Sequence, residues 1–156
     1  VRTIPAFTLI ELILVMVVIT IALGLVTASL GRWSQGSKLK NAAEQIIATA
    51  GWARSQAIST ANVYRLEIDA SSGICRVTYA QDGSQRAPTG EFGKELTMPT
   101  DFRLDLRTGG STGSTIEFYP NGRTTVATIR VTSPKGDWIE VGSESAAERF
   151  RVLAQN

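Results

Sequence analysis

Phe7-Thr-Leu-Ile-Glu-Leu-Ile-Leu-Val-Met-Val-Val-Ile-Thr-Ile-Ala-Leu-Gly-Leu-Val-Thr-Ala-Ser-Leu30 is the stretch on which the reading of this 156-residue chain turns. Eighteen of its 24 residues are hydrophobic, against 46 of the 126 that follow. As a helix it is roughly 36 Å long at 1.5 Å per residue, enough to cross a hydrocarbon core of about 30 Å. Fifteen positions are Leu, Ile, Val or Phe. Each contributes about −0.3 to −0.6 kcal/mol near the centre of a spanning helix, against roughly +3 for one acid, so insertion survives Glu11. The rival is a cleaved secretory signal, which needs a basic region, a shorter apolar run and a small-residue cut site after it. Thr27-Ala28-Ser29 keeps that rival open.

Glu11 is the informative residue of the run. An ionisable side chain inside an apolar span is rare and by default marks a function. The plainer alternative is that Glu11, one helical turn beyond Phe7, reaches the membrane surface. The physics leaves both open.

The surrounding word adds to this. Ala6-Phe7-Thr8-Leu9-Ile10-Glu11-Leu12 closely resembles the processing and assembly signal of type IV pilins and of the pseudopilins of type II secretion, and the likeness extends to about residue 30. The resemblance implies that a prepilin peptidase on the cytoplasmic side cuts between Ala6 and Phe7 and methylates the new amine of Phe7. It also implies that Glu11 neutralises the N-terminal amine of a neighbouring subunit in a filament. A buried carboxylate is costly unless paired, and a new amine is a suitable partner. The family usually has Gly where this chain has Ala6, and its leaders often carry more basic residues than the single Arg2. Arg32, Lys38 and Lys40 follow the span closely, so charge alone favours the opposite orientation. The resemblance places the N-terminus in the cytoplasm and the remainder beyond the bacterial inner membrane, in the periplasm.

The composition excludes much else. The chain has no histidine, which removes the commonest general base, metal ligand and proton switch near neutral pH. The single Cys75 excludes an internal disulfide framework and a multi-cysteine zinc site, and reads as a small buried apolar residue. Sixteen basic and 14 acidic residues give +2, a balance that indicates no partner. Gly109-Gly-Ser-Thr-Gly113 lacks the Lys of a phosphate-binding loop and opens no helix. Glu91 with Glu95, and Asp101 with Asp105, read as solvated surface acids rather than a catalytic pair. Asp137, Glu140, Glu144 and Glu148 lack the loop pattern of a calcium site. Neither an enzyme nor a cofactor or metal is expected. Trp33, Trp52 and Trp138 read as core or membrane-interface groups.

After Gly31, Leu39, Ala43, Ile46, Ile47, Ala50, Ala53 and Ala57 recur at steps of three and four, which predicts an amphipathic continuation of the helix over 31–60 with its apolar stripe against a sheet. Gly36 and Gly51 are each unfavourable in a helix by about 1 kcal/mol, and a bend or break is expected between Gly31 and Gly36. From Asn62 the pattern alternates. Tyr64, Leu66 and Ile68 oppose Arg65, Glu67 and Asp69; Cys75, Val77 and Tyr79 repeat the scheme, and Phe102, Leu104 and Leu106 oppose Arg103, Asp105 and Arg107. Asn121-Gly122, between 114–119 and 123–131, predicts a β-hairpin. Runs at 137–141 and 149–153 complete an antiparallel set. Residues 81–100 read as a long loop, the segment expected to make contacts.

The order of helix, strand Val63-Tyr-Arg-Leu66 and Ile116-Glu-Phe-Tyr-Pro-Asn-Gly122 is similar to that of the H-type minor pseudopilins and related minor pilins. The expectation is thus an α+β, type IV pilin-like fold: leader 1–6, transmembrane and assembly helix 7–30, amphipathic helix 31–60, and a β-rich periplasmic domain 61–156. The implied function is that of a minor pseudopilin in a type II secretion pseudopilus that serves protein export. The alternative is a minor type IV pilin in pilus assembly or DNA uptake. The implied partners are other pseudopilins or pilins, the prepilin peptidase, an inner-membrane assembly platform and, through one helix, the membrane. Some related minor pilins bind DNA through basic residues near the C-terminal end, which here draws attention to Arg149 and Arg151. Two arginines are weak footing for phosphate binding, and Arg149/Arg151 against Phe150/Val152 equally describes an edge strand with one wet face. Nucleic acid is not an expected partner.

Overall fold

The computed structural model describes residues 8–81, 83–109 and 113–156, and of residues 24–35 the backbone alone. The chain divides into two compact units, Val1–Gly36 and Ser37–Asn156, taken here one at a time. Helix α1, Leu9–Thr60, contributes to both.

In the first unit, every apolar side chain described from Leu9 to Leu23 is exposed. No face is set aside for a core, because apolar residues surround the axis. Among the described residues no helix is long and apolar enough to cross a membrane. The expected leader with Ala6 and Phe7, and the side chains of the second half of the 7–30 run, lie outside the described residues. Of the bend or break expected between Gly31 and Gly36, no break occurs, since helical assignment runs through these positions. Two glycines five residues apart weaken a helix without removing any of its backbone donors, so the penalty can be outweighed.

In the second unit the helix shows the predicted stripe. Leu39, Ala42, Ala43, Ile46, Ala50, Ala53 and Ala57 are buried, with Ile47 at the margin. The run of alanines lets the backbone approach the sheets closely. Among the described residues nine strands follow: β1 Tyr64–Asp69, β2 Ile74–Gln81, β3 Ser84–Arg86, β4 Leu96–Thr97, β5 Arg103–Thr108, β6 Thr115–Phe118, β7 Ala127–Thr132, β8 Trp138–Ser143 and β9 Arg151–Gln155. They form two antiparallel sheets, one ordered β3-β2-β1-β6 with β4 also on β2, the other β5-β7-β8-β9. The alternation read from the sequence is the alternation of burial: Leu66, Val77, Leu104, Ile116, Ile129 and Val141 all point into one core shared with the helix stripe.

Asn121-Gly122 closes a hairpin, but a much shorter one than predicted. Gly122 has φ +77 and donates to the Tyr119 carbonyl at 2.9 Å; Tyr119 N–H donates to the Arg123 carbonyl and Thr125 N–H to the Glu117 carbonyl, each at 2.9 Å, on either side of the Phe118–Thr124 bridge, and pairing stops there. β6 pairs with β1, while β7 pairs with β5 and β8. The chain crosses here from one sheet to the other. Residues 81–100 are likewise not an unstructured loop, because they contain β3, a 3-10 turn at Glu91–Gly93 and β4.

Candidate functional site

Glu11 stands in the first turn of α1, exposed. Its backbone N–H donates to the hydroxyl of Thr8 at 3.4 Å, and the Thr8 carbonyl accepts from Leu12 at 3.3 Å. Thr8 therefore caps the helix. Thr8-Leu9-Ile10-Glu11 is the Thr-x-x-Glu order of a capping box, a signal in the sequence that the motif reading passed over. An acid in the first turn also complements the helix dipole. Glu11 thus has a local part in starting the helix, in addition to any part in a filament. The amine expected to meet it is that of Phe7, outside the described residues.

Arg149 and Arg151 lie in the second unit, and the structure separates their surroundings. Arg151 opens β9 and pairs with Glu144. Arg149 precedes the strand, exposed, in the connection from β8. Between them Phe150 turns inward to 7% exposure and meets Phe118 with ring centroids 6.1 Å apart. β9 is the edge strand of its sheet, with a bulge opposite the Glu140/Val141 step, but Arg149 and Phe150 precede it and Val152 is exposed beside Arg151, so the expected alternation of a wet and a dry face is not found. The expected run 149–153 is displaced to 151–155.

The connection from β8 to β9 is fastened to the helix by one side chain. The Arg54 guanidinium donates to the Glu148 carbonyl at 2.7 Å and the Ala147 carbonyl at 2.8 Å. Thr124 N–H adds a bond to the Ala146 carbonyl at 2.8 Å. Beside this clasp lies a cleft of about 570 Å³, bounded by Ile47, Ala50, Gly51, Arg54, Ser55 and Ile58 of the helix and by Phe118, Thr124 and Glu148–Phe150. Ile58 is 53% exposed at its edge. The Thr124 hydroxyl is buried with no hydrogen-bond partner.

The 81–100 segment is anchored by rings. Phe92 stacks on Trp52 at 5.0 Å, Trp52 meets Tyr64 edge-on at 5.9 Å, and Tyr64 stacks on Tyr79 at 5.2 Å. Glu95 pairs with Arg76, whose guanidinium is held above its ordinary pKa chiefly by that hydrogen bond. Leu96 and Thr97 pair alongside Cys75 and Ile74 of β2. The segment is tied at three points yet stays largely exposed, with no residue from 83 to 97 buried.

Three of the eight acids flagged in the sequence have separate basic partners. Glu140 pairs with Arg130, whose guanidinium lies 4.6 Å over the Trp138 ring; Glu144 pairs with Arg151, and Glu95 with Arg76. Among the described residues no group of three or more acids, cysteines or histidines could hold a metal ion. Asp69 accepts from the Ser71 and Ser72 hydroxyls and backbone N–H groups, which hold its carboxyl well below the usual range. Cys75 is 2% exposed, and burial pushes its thiol up to about 12, so it is inert as a nucleophile.

These features give surfaces for contact rather than an arrangement of acid, base and nucleophile. A family model described as type II transport protein GspH matches residues 42–153. Two solved structures of the minor pseudopilin EpsH from the type 2 secretion system of Vibrio cholerae share the fold. One has TM-score 0.63 at 15% identity over 75% of this chain and 97% of that one; the other has 0.64 at 14% over 77% and 96%. The type IV minor pilin FimU of Pseudomonas aeruginosa is similar at TM-score 0.58 and 18% identity, over 78% and 92% of the two chains. No curated protein matches the sequence.

Proposed function

The chain belongs to the family of the type II transport protein GspH, and from that premise we infer that it is a minor pseudopilin of the H type, a structural subunit of a type II secretion filament and not an enzyme. It assembles with other pseudopilins. The observation that carries this reading is the family match across 42–153, which covers the second half of α1 and nearly all of both sheets. The pilin-like plan of one helix packed on antiparallel sheets supports it.

The finer scheme extends this reading to the N-terminus. A prepilin peptidase cuts between Ala6 and Phe7 and methylates Phe7, leaving residues 1–6 as the discarded leader. Residues 7–30 hold the subunit in the inner membrane as a single span, with the N-terminus cytoplasmic and 61–156 in the periplasm. An assembly platform in that membrane then moves the helix into the filament, where Glu11 pairs with the amine of a neighbour. The all-round exposure of Leu9–Leu23 supports this, because such a surface needs lipid or other helices around it. Removing a charged pair from water is repaid only by close pairing, which makes Glu11 sensitive to the presence of its partner.

Co-expression with a prepilin peptidase tests the scheme. The expected product has lost the mass of residues 1–6 and gained one methyl group, and Glu11→Ala is still cut and inserted but enters filaments poorly. An uncut chain, or normal assembly by that variant, sinks the corresponding step. The second reading, a minor type IV pilin, draws on the likeness to FimU, where identity reaches 20% in one crystal form. Loss of export on deletion supports the first reading; loss of pili with export intact supports the second.

A further inference from the structure

The cleft beside the Arg54 clasp has a composition that its place in the fold does not use. Its floor is apolar, from Ile47, Ala50, Phe118 and Phe150. Arg54 and Arg149 line it together with one acid, Glu148. Arg54 uses two of its five donors on backbone carbonyls, and Arg149 forms no ion pair among the described residues. Gly51 opens the helix side, with nothing within 4 Å of where its Cβ would stand.

We propose that this cleft is a docking site for a segment of a neighbouring pseudopilin that presents an apolar side chain beside a carboxylate. The apolar side chain covers the Phe118–Phe150 floor. The carboxylate meets the unused donors of Arg54 and Arg149. The volume, about 570 Å³, lies in the range that takes a few side chains. The apolar floor and Glu148 disfavour nucleic acid, whose binding grows with the number of phosphates neutralised. The inference rests on the reading of the chain as a filament subunit.

Cys75 is buried, so a cysteine introduced at Ser55 is the accessible thiol among the described residues, and Ser84→Cys on the β3 edge serves as the control. Maleimide labelling of the full chain is compared in cells with the whole secretion system and in cells lacking the other pseudopilins. With the system present, labelling at Ser55→Cys slows about tenfold, as for a cleft occupied nine-tenths of the time, while Ser84→Cys is unchanged. Adding Arg149→Glu to reverse its charge restores labelling and lowers export. Equal labelling in both cells overturns the proposal, as does protection that nuclease removes or that Arg149→Glu leaves untouched. If export never depends on this chain, the functional reading fails; if export depends on it and Ser55→Cys stays open, only the docking site fails.

Discussion

Arg65 on β1 donates from Nε to Oε1 of Glu117, its register partner on β6, at 2.8 Å. The other carboxylate oxygen accepts the Tyr119 hydroxyl at 2.6 Å. The Tyr119 bond first, and then Arg65, hold the Glu117 carboxyl below its ordinary range, with partial burial opposing them. The same bond raises the Tyr119 phenol. This network stands on the polar face of the first sheet and ties its β1–β6 edge.

A depressed carboxyl contributes stability above its unfolded pKa, and that contribution is lost as pH falls through the folded value. Glu117→Gln is expected to cost about 1 kcal/mol at neutral pH, after discounting for solvent around a group one-third exposed. The difference from the parent fades below the ordinary Glu value of 4.5. Tyr119 acts in the reverse sense, its contribution present below pH 10.0 and lost above it. Urea unfolding at a series of pH values reads both limbs.

Gly142 on β8 is set by space. A Cβ there would lie 2.1 Å from the Ala127 carbonyl oxygen and 2.9 Å from Thr128 Cα, both backbone atoms of β7. Gly142→Ala is expected to lower stability by about 3 kcal/mol, since strands must separate to admit it. Gly51→Ala, in open space on the helix, is expected to raise stability by about 0.5–1 kcal/mol. Chemical denaturation of the two variants side by side gives opposite signs.

Arg54 fastens the β8–β9 connection. Arg54→Ala removes both carbonyl bonds and is expected to cost about 1–2 kcal/mol, with faster hydrogen exchange confined to 144–150. Arg54→Lys does not restore protection, because an ammonium cannot fork to two carbonyls in one plane as guanidinium does. Exchange spread evenly over both sheets would count against a local clasp.

Phe92 holds the 81–100 segment through Trp52. Phe92→Ala is expected to cost about 1 kcal/mol for the stacked pair and its buried area, and to speed exchange at 91–96 while β1 and β5 stay protected. Unchanged exchange there would mean that the Arg76–Glu95 pair and β4 suffice.

Much of the fold could be read in advance because burial is periodic. β1, β2 and β5 each bury one face, so Leu66, Val77 and Leu104 announced themselves by alternation. The helix stripe from Leu39 to Ala57 did so by its own period. The Asn121-Gly122 turn was legible and the length of its hairpin was not, because a turn depends on the conformation of two residues and a long pairing on where the second strand finds its partner. β3 and β4, three and two residues long, are too short to carry a pattern, and they acquire their state from β2. Of the candidate site residues, Glu11 stood out as a lone charge in an apolar run, while the hydroxyl of Thr8 beneath it did not. Arg54 gave no signal at all, since its partners are backbone carbonyls more than 90 residues away.

The sequence by itself determined the long helix, the face it buries beyond Ser37, the alternation of most strands, and an N-terminal apolar run with one acid. These are local properties, fixed by the spacing of apolar side chains along a few turns or a few residues. The tertiary structure alone decided that the strands divide between two sheets, which acids meet which arginines, and that a clasp and a cleft form where the helix meets the β8–β9 connection. Each of those depends on groups far apart in the chain coming into register, and the free energy of such a meeting belongs to the pair and not to either segment.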